Sequence, residues 1–160
     1  MTDLNWISAE LLNKLTTEAR QAPRRRKNLN FHADDAAACQ RLLNAVEPDS
    51  YIAPHRHLDP AKDETILLLR GRIGVILFDE TGAVTAHTAL DSTGPRFGLT
   101  IPAGTFHALV ALATASVFFE AKAGPYRPLA DEERAPWAPA EGNPTAVSYL
   151  ATLRSLFTST

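Results

Sequence analysis

The sequence has little cysteine and no long apolar run, and each of these absences narrows the class of protein. Cys39 is the single cysteine among 160 residues, so an intramolecular disulfide is excluded, which fits a reducing compartment. No run of about 20 apolar residues is present to span a membrane. The first residues, MTDLNWISAELLNKL, lack the basic stretch and apolar core of a signal peptide. We therefore expect a cytoplasmic protein without a membrane partner.

A strong excess of charge of either sign is also missing. With 16 Lys and Arg against 18 Asp and Glu, the formal net charge is -2, which gives no general reason to expect a nucleic-acid partner. The run RRRK at 24–27 is a local exception. It is either a solvated surface, or Arg25 or Lys27 attracts an anionic group to the mouth of a pocket.

The length and the 45% apolar content fit one globular domain over residues 1–160. Residues 1–38 are expected to form an N-terminal helix and arm. Residues 39–123 contain short runs of β-branched and aromatic residues between turns, such as TILLLR, RIGVILF and FHALVAL. Closely spaced runs of this kind are typical of an antiparallel sandwich or barrel. Residues 124–160 are rich in proline at first and then helical, so we expect a strap and a terminal helix.

The two terminal helices have recognisable start signals. In SAELLNKLTTEAR, apolar residues recur near helical spacing and Ser8 is available as the N-cap. In NPTAVSYLATLRSLF, Asn143 is the candidate N-cap and Pro144 would occupy the first helical position. The sequence therefore predicts an all-β core with short N- and C-terminal helices.

Two histidine-containing clusters suggest a metal site. In PHRHLDPAKDET, His55 and His57 would point to the same side of an extended segment, and Glu64 opens the next predicted strand. In IPAGTFH, His107 follows a Pro-Gly corner. Because no thiolate cluster exists, nitrogen and oxygen must hold any metal. His87 has no partner motif, and we interpret it as a surface or core histidine.

These clusters, with HxH, then a glutamate with a glycine beyond it, then PxGxxH, resemble the two motifs of the cupin superfamily. The resemblance implies a double-stranded β-helix, also called a jelly-roll barrel, in which four residues converge on one metal: His55, His57, Glu64 and His107. Six residues separate His57 from Glu64, which is longer than the common spacing. Asp59 and Asp63 are therefore rival carboxylates.

A longer part of the chain is similar to a narrower group, the WbuC-type cupin fold metalloproteins. The similarity runs through RRKNLNFH, CQRLLNAVEPDSYIAPHRHLDPAKDET, IPAGTFHALVAL and FFEAKAGPYRPL. This group is associated with bacterial surface-polysaccharide gene clusters, so the resemblance implies a carbohydrate-related role. Cupins often pair through sheet edges, and we therefore expect a homodimer.

The predicted ligand set defines the chemistry we expect. Three imidazoles and one carboxylate accept one divalent transition metal ion, whether iron, manganese, nickel, cobalt or zinc, and leave positions for water or substrate. We expect a small-molecule ligand, an anionic carbohydrate, converted by an isomerase- or epimerase-like proton transfer. Two alternatives stay open, a metal-dependent dioxygenase and a non-enzymatic module that binds metal or sugar.

A charged pair in SVFFEAKAGPY supplies candidate catalytic residues. Glu120 and Lys122 share one face of the predicted strand, and burying them is costly unless the charges meet each other, a metal-bound group or water. Since EAKAGPY belongs to the resembling pattern, we place both residues at the pocket, where one of them transfers a proton or orients a substrate oxygen. Tyr126, just beyond the Gly-Pro turn, is a third candidate.

A second polar pattern lies near the N-terminus. Asn28, Asn30 and His32 occupy alternate positions of NLNFH, so they would share one face of an extended segment. They either line a pocket from a neighbouring strand or make structural hydrogen bonds.

Overall fold

Two antiparallel sheets, with a helix near each end of the chain, make up the fold in the computed structural model, which describes residues 4–158. The elements are α1 (Ala9–Gln21), β1 (Arg26–Asn30), β2 (Cys39–Val46), β3 (Glu64–Arg70), β4 (Arg72–Phe78), β5 (Val84–Asp91), β6 (Gly98–Ile101), β7 (Phe106–Ala111), β8 (Ser116–Ala123) and α2 (Ala146–Ser155). No helix within residues 4–158 is both long and apolar enough to cross a membrane.

The strands form a five-stranded sheet in the order β1-β2-β8-β3-β6 and a three-stranded sheet in the order β5-β4-β7. Every pairing within the two sheets is antiparallel. The strands predicted from the runs between residues 39 and 123 are confirmed, and the all-β core with terminal helices is confirmed with them. β1 extends the larger sheet with residues that precede position 39, because Arg26–Asn30 pairs along β2.

Strand alternation separates the apolar side chains into an inner layer and two outer layers. Between the sheets, Ile66 and Leu68 of β3 pack with Val75 of β4 and Phe118 of β8. On the outside of the larger sheet, α1 covers one apolar layer, and on the outside of the smaller sheet α2 covers the other. Both helices therefore lie away from the space between the sheets, and that space is where the inward polar side chains meet.

The predicted N-cap is correct for α1 and wrong for α2. Ser8 is the N-cap of α1 and its hydroxyl accepts a hydrogen bond from the Leu11 N–H, as predicted. The prediction for α2 is wrong by two residues, because the N-cap is Thr145 and not Asn143. The Asn143 side chain instead accepts hydrogen bonds from the backbone N–H and the hydroxyl of Thr145, which closes a turn before the helix starts.

Gly71 joins β3 to β4 in a conformation that only glycine adopts easily, with φ of +79°. A β-carbon there would lie 2.5 Å from the Ser116 hydroxyl oxygen. Gly71→Ala is expected to lower the free energy of unfolding for two reasons. One is the cost of the positive φ, and the other is the clash with Ser116, which adds about 1–3 kcal/mol. The matched control is Gly142→Ala, because Gly142 also has a positive φ, +81°, but a β-carbon there would meet nothing within 4 Å. Equal losses in urea denaturation of the two variants would contradict this account.

Candidate metal centre

His55 and His107 are joined by their backbones. The N–H of each residue donates to the carbonyl of the other, at 3.0 and 2.9 Å, so an extended segment that precedes β3 is fixed beside β7. This pairing places the two imidazole rings with centroids 4.6 Å apart. Arg56 points away from this space and stacks on the Phe106 ring at 4.1 Å. The predicted alternation of His55, Arg56 and His57 is thus confirmed.

Glu64 enters the same space from the first position of β3, on the inward face that it shares with Ile66 and Leu68. Its Oε2 atom lies 3.5 Å from Nε2 of His57 and 3.2 Å from Nε2 of His107. Ligand atoms of His55, His57 and Glu64 all lie within 4.8 Å of one another. Atoms bound to one metal at about 2.1 Å are about 3–4 Å apart, so small side-chain rotations would bring this group to coordination distances.

The rival carboxylates have other partners. Asp59 and Asp63 are both exposed, and each accepts a hydrogen bond from a backbone N–H, that of Ala61 at 3.0 Å and that of Ala103 at 2.8 Å. The structure therefore brings only Glu64 of these three carboxylates to the histidines. His87 also lies elsewhere, on β5, with its ring against Phe157.

The donor set fits a metal ion in two respects. First, Nδ1–H of His55 donates to the Ala53 carbonyl and Nδ1–H of His107 donates to the Thr105 carbonyl, at 3.0 and 2.9 Å, which leaves each Nε2 with a free lone pair. Second, Glu64 Oε2 and His107 Nε2 are buried, yet neither makes a hydrogen bond of good geometry within residues 4–158 although they lie 3.2 Å apart. Buried polar atoms are normally satisfied, and a shared cation would satisfy both.

The pKa shifts at the centre favour the protonation states that bind metal. Exclusion of water from around the His55 ring, and then the nearby His107, lower its pKa to about 3, so the imidazole is neutral. Burial alone would raise the pKa of Glu64, but the nearby His57 imidazole and the charge of Lys122 act in the opposite direction, and the pKa of this carboxyl lies well below its ordinary value. A neutral imidazole beside an ionised carboxylate is the state that a metal ion requires.

Glu120 and Lys122 lie on the inner face of β8, next to the predicted ligands. Lys122 is directly opposite Glu64 in the β3–β8 pairing, and its Nζ lies 3.6 Å from Glu64 Oε1 and 3.4 Å from His57 Nε2. Glu120 Oε1 lies 2.7 Å from Lys122 Nζ, and its Oε2 accepts a hydrogen bond from the Asn44 amide at 2.9 Å. Burial and then the negative charge of Glu64 raise the pKa of Glu120 to about 7.

Two small cavities open beside these side chains. The first, of about 210 Å³, is lined by His55 and His57 and carries three cations: Lys62, Lys122 and Arg127. The second, of about 280 Å³, lies along Glu120 and is lined by the amides of β1. Tyr126 borders both cavities and is 52% exposed, so the third candidate residue sits at the rim of the site.

Several residues of the site escaped the sequence analysis. Lys62 and Arg127 stand in irregular segments, where no periodicity indicates which way a side chain points. Gln40 and Asn44 carried a weak signal, since they share the inward face of β2 with Leu42 and are polar residues in a largely apolar strand.

The basic run at 24–27 is not at the mouth of this site. Arg25 pairs with Asp49 at 3.0 Å and Lys27 with Glu18 at 4.0 Å. Neither residue lines the two cavities beside the histidines. The interpretation in which Arg25 or Lys27 attracts an anionic ligand to that mouth is therefore wrong, because nearby carboxylates neutralise the run on another part of the surface.

Solved structures of other proteins share this architecture. A conserved protein of unknown function from Streptococcus pyogenes matches with a TM-score of 0.53 and 11% identity, over 79% of this chain and 93% of its own. KdgF from Halomonas sp. matches with a TM-score of 0.50 and 18% identity, over 66% and 84%. A cupin superfamily protein from Desulfitobacterium hafniense matches with a TM-score of 0.48 and 15% identity, over 61% and 76%. At these identities the likeness concerns the fold alone.

The two facing antiparallel sheets confirm the predicted all-β core with terminal helices, solved structures of other proteins share this fold, and the inward histidines and glutamate give it a candidate metal centre. Within this class, the chain belongs to the family described as Domain of unknown function (DUF6016), whose model matches residues 7–90. The matched stretch contains His55, His57 and Glu64. A comparison with curated proteins gave no match.

Proposed function

We propose that this protein is a metal-dependent enzyme that transfers a proton on a small anionic carbohydrate, as isomerases and epimerases do. The observation that carries the proposal is the position of Lys122. Its Nζ lies 3.4 Å from His57 Nε2 and 2.7 Å from Glu120 Oε1, so a charged donor and a carboxylate stand beside the ligand set. A site that only held metal would not require this buried pair.

Each residue of the site has a role in the proposed proton transfer. His55, His57, Glu64 and His107 would hold the metal, which when bound supplies Lewis acidity toward a substrate oxygen. Glu120 is placed to remove a proton from a carbon beside a carbonyl group, and the Nζ–H groups of Lys122 to donate hydrogen bonds to the oxygen on which negative charge develops. Return of the proton to the opposite face of that carbon completes an epimerisation. Its delivery to the neighbouring carbon that was the carbonyl, with a hydroxyl proton passing between the two oxygens, completes an isomerisation.

The anionic part of the proposal is supported by the cations at the opening. Lys62, Lys122 and Arg127 line the cavity that also contains His55 and His57. Cations in a narrow cavity attract carboxylate or phosphate groups. The carbohydrate part rests on the resemblance to the WbuC-type proteins, which implies a role in bacterial surface-polysaccharide metabolism.

Proton transfer is tested by solvent exchange, which does not require knowledge of the product. The protein, loaded in turn with each candidate metal, is incubated in D₂O with uronic acids and phosphorylated keto sugars, and proton NMR follows exchange beside the carbonyl carbon. Glu120→Gln and Lys122→Met are expected to slow exchange by about 100-fold or more. The control is Lys27→Met, which changes a lysine that pairs with Glu18 outside the site.

The outcomes separate the classes of function. Exchange that needs metal and Glu120 supports the proposal. Oxygen consumption by the iron form without exchange would replace it with a dioxygenase, and thermal stabilisation by a sugar without exchange or turnover would replace it with a binding module.

A further inference from the structure

We propose that a second recognition site, whose hydrogen-bonding groups include neutral amides and an imidazole, lies beside the metal centre and binds hydroxyl groups of the ligand. This polyol site is the cavity bordered by Asn28, Asn30, His32 and Gln40. The proposal rests on the proposed function, since it assigns the other end of the same ligand. In this proposal, β1 and the residues that follow it determine which anionic ligands bind tightly.

In this proposal the two adjacent cavities act as one binding groove. The cavity beside the histidines and the polyol site share Gln40, Lys122 and Tyr126 as lining residues. With volumes of about 210 and 280 Å³, each is smaller than the roughly 300 Å³ at which small-molecule sites begin, but the pair falls within that range. A ligand that fills the groove must therefore extend across Lys122 from one cavity to the other.

Charge is distributed unevenly along this groove. The end beside the histidines carries Lys62 and Arg127, whereas the carboxylates of Asp35 and Glu120 border the polyol site. Lys122, the cation that both ends share, is already paired with Glu120 at 2.7 Å. An anionic group is thus favoured at the histidine end and disfavoured in the polyol site, which fixes the direction in which a ligand with one charged end lies.

Among residues 4–158, several hydrogen-bonding groups of the polyol site have no protein partner. The Asn28 amide donates to Asn30 Oδ1 at 2.9 Å, which leaves Asn28 Oδ1 as an acceptor and the Asn30 amide N–H groups as donors. His32 Nδ1 lies 3.0 Å from both the N–H and the carbonyl oxygen of Arg41, which leaves Nε2 to donate or accept according to the tautomer.

Gln40 is fixed by the loop before β2. Its amide donates to the carbonyls of Asp35 and Ala37, at 3.3 and 2.9 Å, and its Oε1 has no hydrogen-bond partner within the part of the chain that the structure describes. A hydroxyl group donates and accepts at once, so a mixed set of neutral donors and acceptors matches a polyhydroxylated ligand better than a purely anionic or apolar one.

The test compares an anion with and without a sugar attached. Calorimetry on the metal-loaded protein gives the affinity for each of four anions. The affinity for D-glucuronate is compared with that for acetate, and the affinity for D-glucose 6-phosphate with that for inorganic phosphate. We expect the sugar-bearing anion of at least one pair to bind tenfold or more tightly than its partner. The double variant Asn28→Ala/Asn30→Ala is expected to lose most of that advantage while it keeps its metal content, its melting temperature and its affinity for the simple anion.

Lys27→Ala is the matched control, because Lys27 stands between arginine and asparagine on the same strand but pairs with Glu18 of α1. It is expected to retain the sugar advantage. Equal affinities within both pairs in the unchanged protein, or an undiminished advantage in the double variant, would overturn the polyol site. Failure of the proposed function would give a different result. Neither removal of the metal nor Lys122→Met would then change the affinity for the anion.

Discussion

Replacing His107 by alanine is expected to remove most of the metal that the purified protein carries and to weaken its metal affinity by more than about 100-fold. Loss of a group that merely orients a ligand costs about 10–100-fold, and His107 is proposed as a ligand itself. The side chain is buried and its Nε2 lies 3.2 Å from Glu64 Oε2, so no water replaces it easily. Metal content after equilibrium dialysis, measured by mass spectrometry, gives the result, and His57→Ala is expected to behave alike.

His87→Ala is the matched control, because His87 packs against Phe157 and lies outside the ligand group. It should bind metal as the unchanged protein does. Glu64→Gln is expected to lose metal as severely as the histidine variants, since Asp59 and Asp63 are occupied by backbone N–H groups. Full metal occupancy in His57→Ala and His107→Ala would contradict the assignment.

Lys122→Met is expected to lower the free energy of unfolding of the metal-free protein by about 3–5 kcal/mol, the usual cost of removing one partner of a buried ion pair. The substitution leaves Glu120 and Glu64 in the protein interior without the cation that lies 2.7 and 3.6 Å from them. Methionine has a similar shape, so the apolar packing of the lysine stem is kept. Urea denaturation provides the measurement.

A double-mutant cycle shows whether the loss comes from uncompensated charge. Glu120→Gln/Lys122→Met should regain a large part of the stability, because a neutral amide no longer needs the ammonium group. Lys27→Met, at an exposed pair, should change stability by less than about 0.5 kcal/mol. A double variant as unstable as Lys122→Met alone would show that packing, and not charge, is responsible.

Local patterns were sufficient for the strands between residues 39 and 123, though not for β1, and for the direction of several inward side chains. The alternation in β8 correctly placed Glu120 and Lys122 on one face, since successive strand residues point to opposite sides. The same argument correctly separated Arg56 from His55 and His57. What alternation leaves open is which face is inside, and that was decided by the apolar neighbours Phe118 and Ile66 in the packed structure.

Other features depend on contacts that no local pattern contains. Lys62 reaches the site because its Nζ donates to the carbonyl of Pro125, a residue far along the chain. The neutralisation of the basic run likewise depends on distant carboxylates such as Asp49 and Glu141. Asn143 was a plausible cap by composition, but the turn that it forms with Thr145 shifts the start of α2. Sequence predicts such contacts poorly because they are set by how the whole chain packs.

The proposed ligands are divided between the two sheets, and this has a thermodynamic consequence. Glu64 belongs to the larger sheet and His107 to the smaller one, while His55 is tied to His107 by its backbone. A metal ion shared by these residues would link the sheets across the core. Because binding to the folded state alone adds RT ln(1 + [M]/Kd), about 4 kcal/mol at a thousandfold excess over Kd, the melting temperature would rise with the logarithm of free metal concentration. Metal supply would thereby set how much of the protein is folded as well as how much is active.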